Sequence, residues 1–147
     1  MKKNKGFTLI EILIVVAIIS ILASIVLVGL GAFRGRGRDA RRISDLRSTQ
    51  NALELYYTKY QAYPSISGGD SWVSLTNSLS GAGIGVTVIP NDPLKPTKTY
   101  HYGVSGDNQN YVLAADLEDS NNPSLKDDTD GTIYGISCDD PAYCVQF

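Results

Sequence analysis

The sequence predicts an α+β fold, with one long N-terminal helix packed on a small antiparallel β-sheet head. Three observations point to it. Residues 7–33 form one apolar stretch in which Glu11 is the only charge. Residues 39–60 contain neither Gly nor Pro, and they place Ile43, Leu46, Leu53, Tyr57 and Tyr60 on a single stripe at helical spacing, with Gln50 in the gap. Beyond residue 98 the pattern changes to short β-prone runs divided by turn residues.

The helix comes first. Residues 12–33 carry no charge, and these 22 residues would span about 33 Å as a helix, enough to cross a hydrocarbon core of about 30 Å. Residues 7–33 are therefore expected to form a membrane-spanning half. Residues 34–63 are expected to form an amphipathic stem, closed by Pro64, which disfavours a helical residue before it. Unbroken from Phe7 to Tyr60, such a helix is about 80 Å long. Gly29, Gly31, Gly35 and Gly37 interrupt it, each at a cost of about 1 kcal/mol against alanine. Two readings compete: small residues for close packing in a membrane, or a segment that bends or melts when the chain leaves the bilayer.

Charge divides the chain. The net charge is −2, yet all six arginines (Arg34, Arg36, Arg38, Arg41, Arg42 and Arg47) lie within fourteen residues. From Ser48 onward, four lysines face twelve acids, a balance of 4 − 12 = −8. An acidic head on a basic stem argues against a nucleic-acid-binding head. The glycine-interleaved arginines can be read as an RNA-binding tract, but their place beside an apolar span favours lipid headgroups or the acidic heads of neighbouring copies. Orientation does not follow from charge, since the two flanks of the span each sum to +4.

The first six residues, MKKNKG, are not an ordinary secretory signal. Such a signal places its cleavage site after a short apolar core, whereas Gly6 lies before a long one. A carboxylate at bilayer depth costs up to about 3 kcal/mol on insertion scales. Glu11 therefore either sits among headgroups near the positive end of the helix dipole or waits for a cation.

Gly6-Phe7-Thr8-Leu9-Ile10-Glu11 followed by an unbroken apolar helix resembles the class III leader of prepilins, the precursors of type IV pilins and type II secretion pseudopilins. The resemblance implies cleavage after Gly6 by a membrane aspartyl peptidase, methylation of the new terminal Phe7, and a register-setting role for Glu11 during assembly. It implies a pilin-like head and a structural, non-enzymatic subunit of a type IV pilus or related secretion or competence filament. The implied partners are copies of itself and other pilins, the prepilin peptidase, an inner-membrane assembly platform and the bilayer before assembly. Nucleic acid enters only for a DNA-uptake pilus. The implied location is the inner membrane with the head outside, then a periplasmic or extracellular filament. The alternative is a membrane-anchored extracytoplasmic binding module, with calcium as its candidate ligand, that does not polymerise.

Residues 64–147 are read as the head. Trp72, Val73 and Leu75 mark one or two helical turns, and Asn91-Asp92-Pro93 a strong turn. The run Gly81, Gly83, Gly85 is a flexible turn rather than a dinucleotide fingerprint. Strands are expected at residues 99–104, 111–115 and 132–136, with a hairpin turn at Gly106-Asp107-Asn108. This order again resembles compact pseudopilin heads. Cys138 and Cys144 are expected to pair in an exported domain, with two free thiols as the alternative. Asp127, Asp128 and Asp130, followed by Gly131, resemble a calcium loop, though without the EF-hand pattern. The family resemblance adds weight, since it implies that calcium can bind in this C-terminal loop, as in major pseudopilins. His101 is a structural residue in a strand, and no Ser-His-Asp or Cys-His arrangement is recognisable.

Overall fold

In the computed structural model of the chain the described residues are 6–66 and 71–147, and the side chains of residues 26–30 and 32 lie outside the description. Most of the leader, and residues 67–70 ahead of Ser71, fall outside it. The chain divides into two compact units, Met1–Gly35 and Arg36–Phe147. Helix α1 runs Leu9–Tyr60 and contributes to both.

In the first unit every described side chain from Gly6 to Ile25 is exposed, and nearly all are apolar. The two serines of the run turn inward. Ser20 Oγ donates to the Val16 carbonyl at 2.7 Å and Ser24 Oγ to that of Ile21 at 2.7 Å, which removes free hydroxyl donors from the helix surface. Among the described residues no helix is long and apolar enough to cross a membrane. The run expected to do so continues into residues 26–30 and 32.

The second unit holds the rest of α1, a second helix α2 (Ser71–Gly81), and strands β1 (His101–Val104), β2 (Tyr111–Asp116), β3 (Thr132–Ile133), β4 (Ile136–Ser137) and β5 (Ala142–Gln146). The main sheet has the order β1-β2-β5, antiparallel throughout, with Tyr102 opposite Leu113 and Ala114 opposite Cys144. Strands β3 and β4 form a separate hairpin.

The stem stripe enters this core. Leu46 and Leu53 are fully buried, together with Ala52, against Trp72, Leu75 and Leu79 of α2 and Tyr102, Tyr111 and Leu113 of the sheet. The stripe fades toward its end: Tyr57 is half-buried and Tyr60 is 46% exposed. Gln61, at φ 54°, turns the chain out of α1, and its N–H still bonds the Tyr57 carbonyl at 2.8 Å. Helix α1 therefore ends at Tyr60, four residues before Pro64.

Strand β2 is buried along residues 111–115 because both of its faces are covered. Tyr111, Leu113 and Ala115 face the core under α1, while Val112 and Ala114 face a second cluster formed by Cys138, Cys144, Ile133 and Ile136. Two strand expectations need correction. The strand expected at 132–136 is the β3–β4 hairpin, because Tyr134 (φ 47°) and Gly135 (φ 83°) reverse the chain there. Strand β5 escaped the pattern because its residues drew attention as a disulfide site, yet it completes the sheet. Helix α2 is also longer than the two turns expected. Gly103 is required where this hairpin crosses β1, since a Cβ there would lie 2.9 Å from Ile136 Cγ1.

Candidate functional site

The N-terminal junction is open to solvent. Gly6 has nothing within 4 Å of a notional Cβ, and Phe7 is 83% exposed. Thr8 caps α1. Its N–H and its hydroxyl both donate to Glu11 Oε2, at 2.8 and 2.7 Å, while the Glu11 N–H reaches back to Thr8 Oγ1 at 3.3 Å. This is a reciprocal capping box, in which the Ncap hydroxyl and the carboxylate three residues on satisfy otherwise orphaned donors. The Thr-x-x-Glu spacing was legible in the sequence, but Glu11 was weighed there only against dipole and cation. Among the described residues Glu11 Oε1 has no hydrogen-bond partner. One carboxylate oxygen is thus fixed to the helix start and the other faces outward.

A second constellation, absent from the sequence reading, lies where the stem meets the head. Arg42 is fully buried. Its guanidinium donates to Asp92 through Nε (2.6 Å) and Nη2 (3.1 Å), and through Nη1 to Asp39 (2.7 Å) and Glu118 (2.8 Å). Asp39, also fully buried, accepts the backbone N–H groups of Glu118 (2.9 Å) and Asp119 (3.0 Å). Asp92 Oδ1 accepts the Leu94 N–H at 2.7 Å, which builds the Asn91-Asp92-Pro93 turn. Arg38 grips Glu118 with two bonds of 2.7 and 2.6 Å, and Arg36 meets Asp119 at 3.2 Å. Burial opposes the charge on Arg42, but Asp92, Glu118 and Asp39 outweigh it and raise its pKa further. The hydrogen bond from Arg38, aided by Arg42, brings Glu118 down to about 2.

These bonds revise the reading of the arginine cluster. Within their own unit Arg36 and Arg38 pair with Asp119 and Glu118, and Arg42 with Asp39, Asp92 and Glu118. Arg34, Arg41 and Arg47 remain exposed, with Arg41 only 3.7 Å from Asp45. The sequence signal was weak, since an Asp39-x-x-Arg42 spacing usually marks a solvated face.

The C-terminal cysteines form a disulfide, Cys138–Cys144, buried beneath the β3–β4 hairpin. Beside it, Asp128, Asp130 and Asp140 bring carboxylate oxygens within 4.8 Å of one another. Asp128 Oδ2 accepts the Cys144 N–H at 2.9 Å, which covers part of the open edge of β5. Asp128 Oδ1 is buried with no partner among the described residues. Burial raises the Asp128 pKa, and the charges of Asp130 and Asp140 push the same way. Convergent hard oxygens, one of them orphaned, suit a divalent cation such as calcium. The sequence expected Asp127 in this set. The structure instead brings Asp140 from across the hairpin, a contact that local spacing does not reveal. His101 lies half-buried in β1.

The matching family model is the prokaryotic N-terminal methylation motif, which covers residues 1–27. The chain is 36% identical over 67 residues to the type II secretion system core protein G of Escherichia coli, covering 46% of each chain. It is 35% identical over 69 residues to the protein of that name from Vibrio cholerae, covering 47% of each. It is 36% identical over 61 residues to the type IV major pilin protein PilA of Myxococcus xanthus, covering 42% of this chain and 28% of that one. The chain thus spans less than half the length of these relatives, and no solved structure matches it. With a capped helix start behind an exposed Gly6–Phe7 junction, the chain carries the prokaryotic N-terminal methylation motif on a segment similar to those of type II secretion core protein G and type IV pilin.

Proposed function

We propose that the chain is the precursor of a structural subunit of a type IV pilus or related secretion filament, and that it acts through its N-terminal helix rather than as an enzyme. The observation that carries this reading is the N-terminal device: an accessible Gly6–Phe7 bond, a Glu11 with one oxygen fixed and one outward, and an exposed apolar helix behind them. Cleavage after Gly6 creates an α-amine on Phe7, which is then methylated. Glu11 Oε1 offers that amine, on a neighbouring copy, a carboxylate partner in an apolar setting where such a pair is strong. Before assembly the apolar helix rests in the inner membrane with the head outside. Afterwards it is buried among copies of itself and other pilins. A prepilin peptidase and an assembly platform complete the partners.

Mass spectrometry of the mature chain should find methylated Phe7 at its start. Glu11→Ala should leave membrane insertion intact and abolish filaments; normal filaments from that variant would overturn the reading. We include calcium at Asp128, Asp130 and Asp140, supported by the orphaned Asp128 oxygen. A non-polymerising, calcium-dependent binding module is the second reading, favoured by that site alone. It predicts an uncleaved leader and no filaments from the native chain.

A further inference from the structure

We infer that the Cys138–Cys144 disulfide is the positioning element of the Asp128, Asp130 and Asp140 site, so that a divalent cation binds tightly only to the oxidised chain. This role rests on the calcium reading above. The three carboxylates, within 4.8 Å of one another, come from three different stretches of chain. Asp128 follows the short helix Pro123–Lys126, Asp130 precedes the β3–β4 hairpin, and Asp140 lies between the two cysteines. Each is tied to the same cystine. The Cys144 N–H donates to Asp128 Oδ2 at 2.9 Å. The Cys138 N–H donates to the carbonyl of Gly131, the residue after Asp130, at 2.7 Å. Asp140 sits in the loop that the disulfide closes, between cysteines six positions apart.

The two sides of the disulfide are held unequally. Strand β5 pairs with β2 along its whole length, Ala142–Gln146. The hairpin pairs only Thr132 with Ser137 and Ile133 with Ile136, in a sheet of its own. A lone two-stranded hairpin is marginal in water. Its apolar hold on the main sheet is Ile133 and Ile136 against Val112, Ala114 and the cystine. The turn that carries Asp140 is fixed at one end by the Leu117 N–H on the Pro141 carbonyl, at 2.9 Å, and at the other through Cys138. Opening the disulfide therefore frees the hairpin from β5. Like charges repel, so the carboxylates of the freed segment move apart unless a cation holds them. A cation must then order that segment as it binds. Ordering even one residue of backbone weakens binding about tenfold.

The coupling is reciprocal: a cation that favours the oxidised chain makes the disulfide harder to reduce by the same factor. Reduction by dithiothreitol passes two electrons and two protons to the pair, giving two thiols and the cyclic disulfide of the reagent. The test is calorimetric titration of calcium into the full chain in detergent micelles. Cys138→Ser, Cys144→Ser is expected to bind about tenfold more weakly than the native chain. Equal affinities overturn the positioning role and leave the calcium reading standing; a native chain that binds no calcium overturns both. Leu79→Ala loosens the other core cluster and is expected to keep the native affinity. An equal loss there assigns the effect to general loosening and overturns the role. If the double variant does not fold, the native chain decides alone. Its thiol–disulfide equilibrium with dithiothreitol is expected to shift about tenfold toward the disulfide in saturating calcium. An equilibrium constant indifferent to calcium overturns the coupling.

Discussion

Asp39, Asp92 and Glu118 surround Arg42 with nearly every hydrogen-bonding position filled, whereas Asp128, Asp130 and Asp140 converge on one another and form no ion pair among the described residues. Both groups are triads of acids in the same acidic unit, and each ties a loop to the sheet or stem. They differ in what neutralises them. The first triad brings its cations from its own chain, through Arg38 and Arg42. The second leaves Asp128 Oδ1 buried and without a partner among the described residues. The contrast separates acids paired within the fold from acids without a counter-ion among the described residues, a distinction that a count of acids in the sequence does not make.

The contrast breaks most visibly at Arg42. Arg42→Ala leaves two fully or nearly fully buried carboxylates without a counter-ion, and breaking a buried pair in this way costs about 3–5 kcal/mol. Chemical denaturation of the full chain, followed by the fluorescence of its single tryptophan, the buried Trp72, measures this directly. A loss below about 1 kcal/mol, the range of surface pairs, would mean that Arg42 acts as a rim charge despite its burial.

Calcium sharpens the other side. At a hundredfold excess over its dissociation constant, a ligand bound only by the folded chain adds about 2.7 kcal/mol. Calcium is therefore expected to raise the unfolding midpoint of the native chain and to leave that of Asp128→Asn unmoved. In calcium-free buffer Asp128→Asn should change stability by no more than about 1 kcal/mol, since the amide oxygen can still accept the Cys144 N–H. Equal calcium responses in the two chains would remove Asp128 from the site.

The sequence carried the local features of this molecule and missed the convergent ones. Apolar continuity and the Gly/Pro-free run announced α1, because a helix is written in neighbouring residues. The β2 run was legible for the same reason. The β3–β4 reversal was hidden by Tyr134, a residue seldom found at positive φ. Arg42 looked like one more surface arginine because two of its three acidic partners, Asp92 and Glu118, are 50 and 76 positions away. Asp140 was overlooked because the hairpin, not the local spacing, brings it to Asp128. At the N-terminus Gly6, Phe7 and Glu11 drew attention because they lie within six residues, and the structure adds that Thr8 holds one oxygen of Glu11.

The smallest expected effect concerns the edge of the satisfied triad. Glu118 falls from an ordinary 4.5 to about 2, first through the hydrogen bond from Arg38 and then through Arg42, with burial opposing both. A carboxyl whose folded pKa is depressed contributes stability above its unfolded pKa and loses it as the pH drops through the folded value. The contribution of Glu118 is thus complete above about pH 4.5 and decays toward pH 2. Asp92 is lowered in the same direction: burial opposes its charge, but the Arg42 bond prevails. Glu118→Gln should consequently flatten, but not abolish, the loss of stability between pH 4.5 and 2, while leaving the pH dependence from 6 to 8 unchanged. Unfolding midpoints of the native chain and of this variant across that acid range make the measurement. Parallel curves would assign the whole acid limb to the buried carboxylates and leave Glu118 as a solvent-facing contact of Arg38.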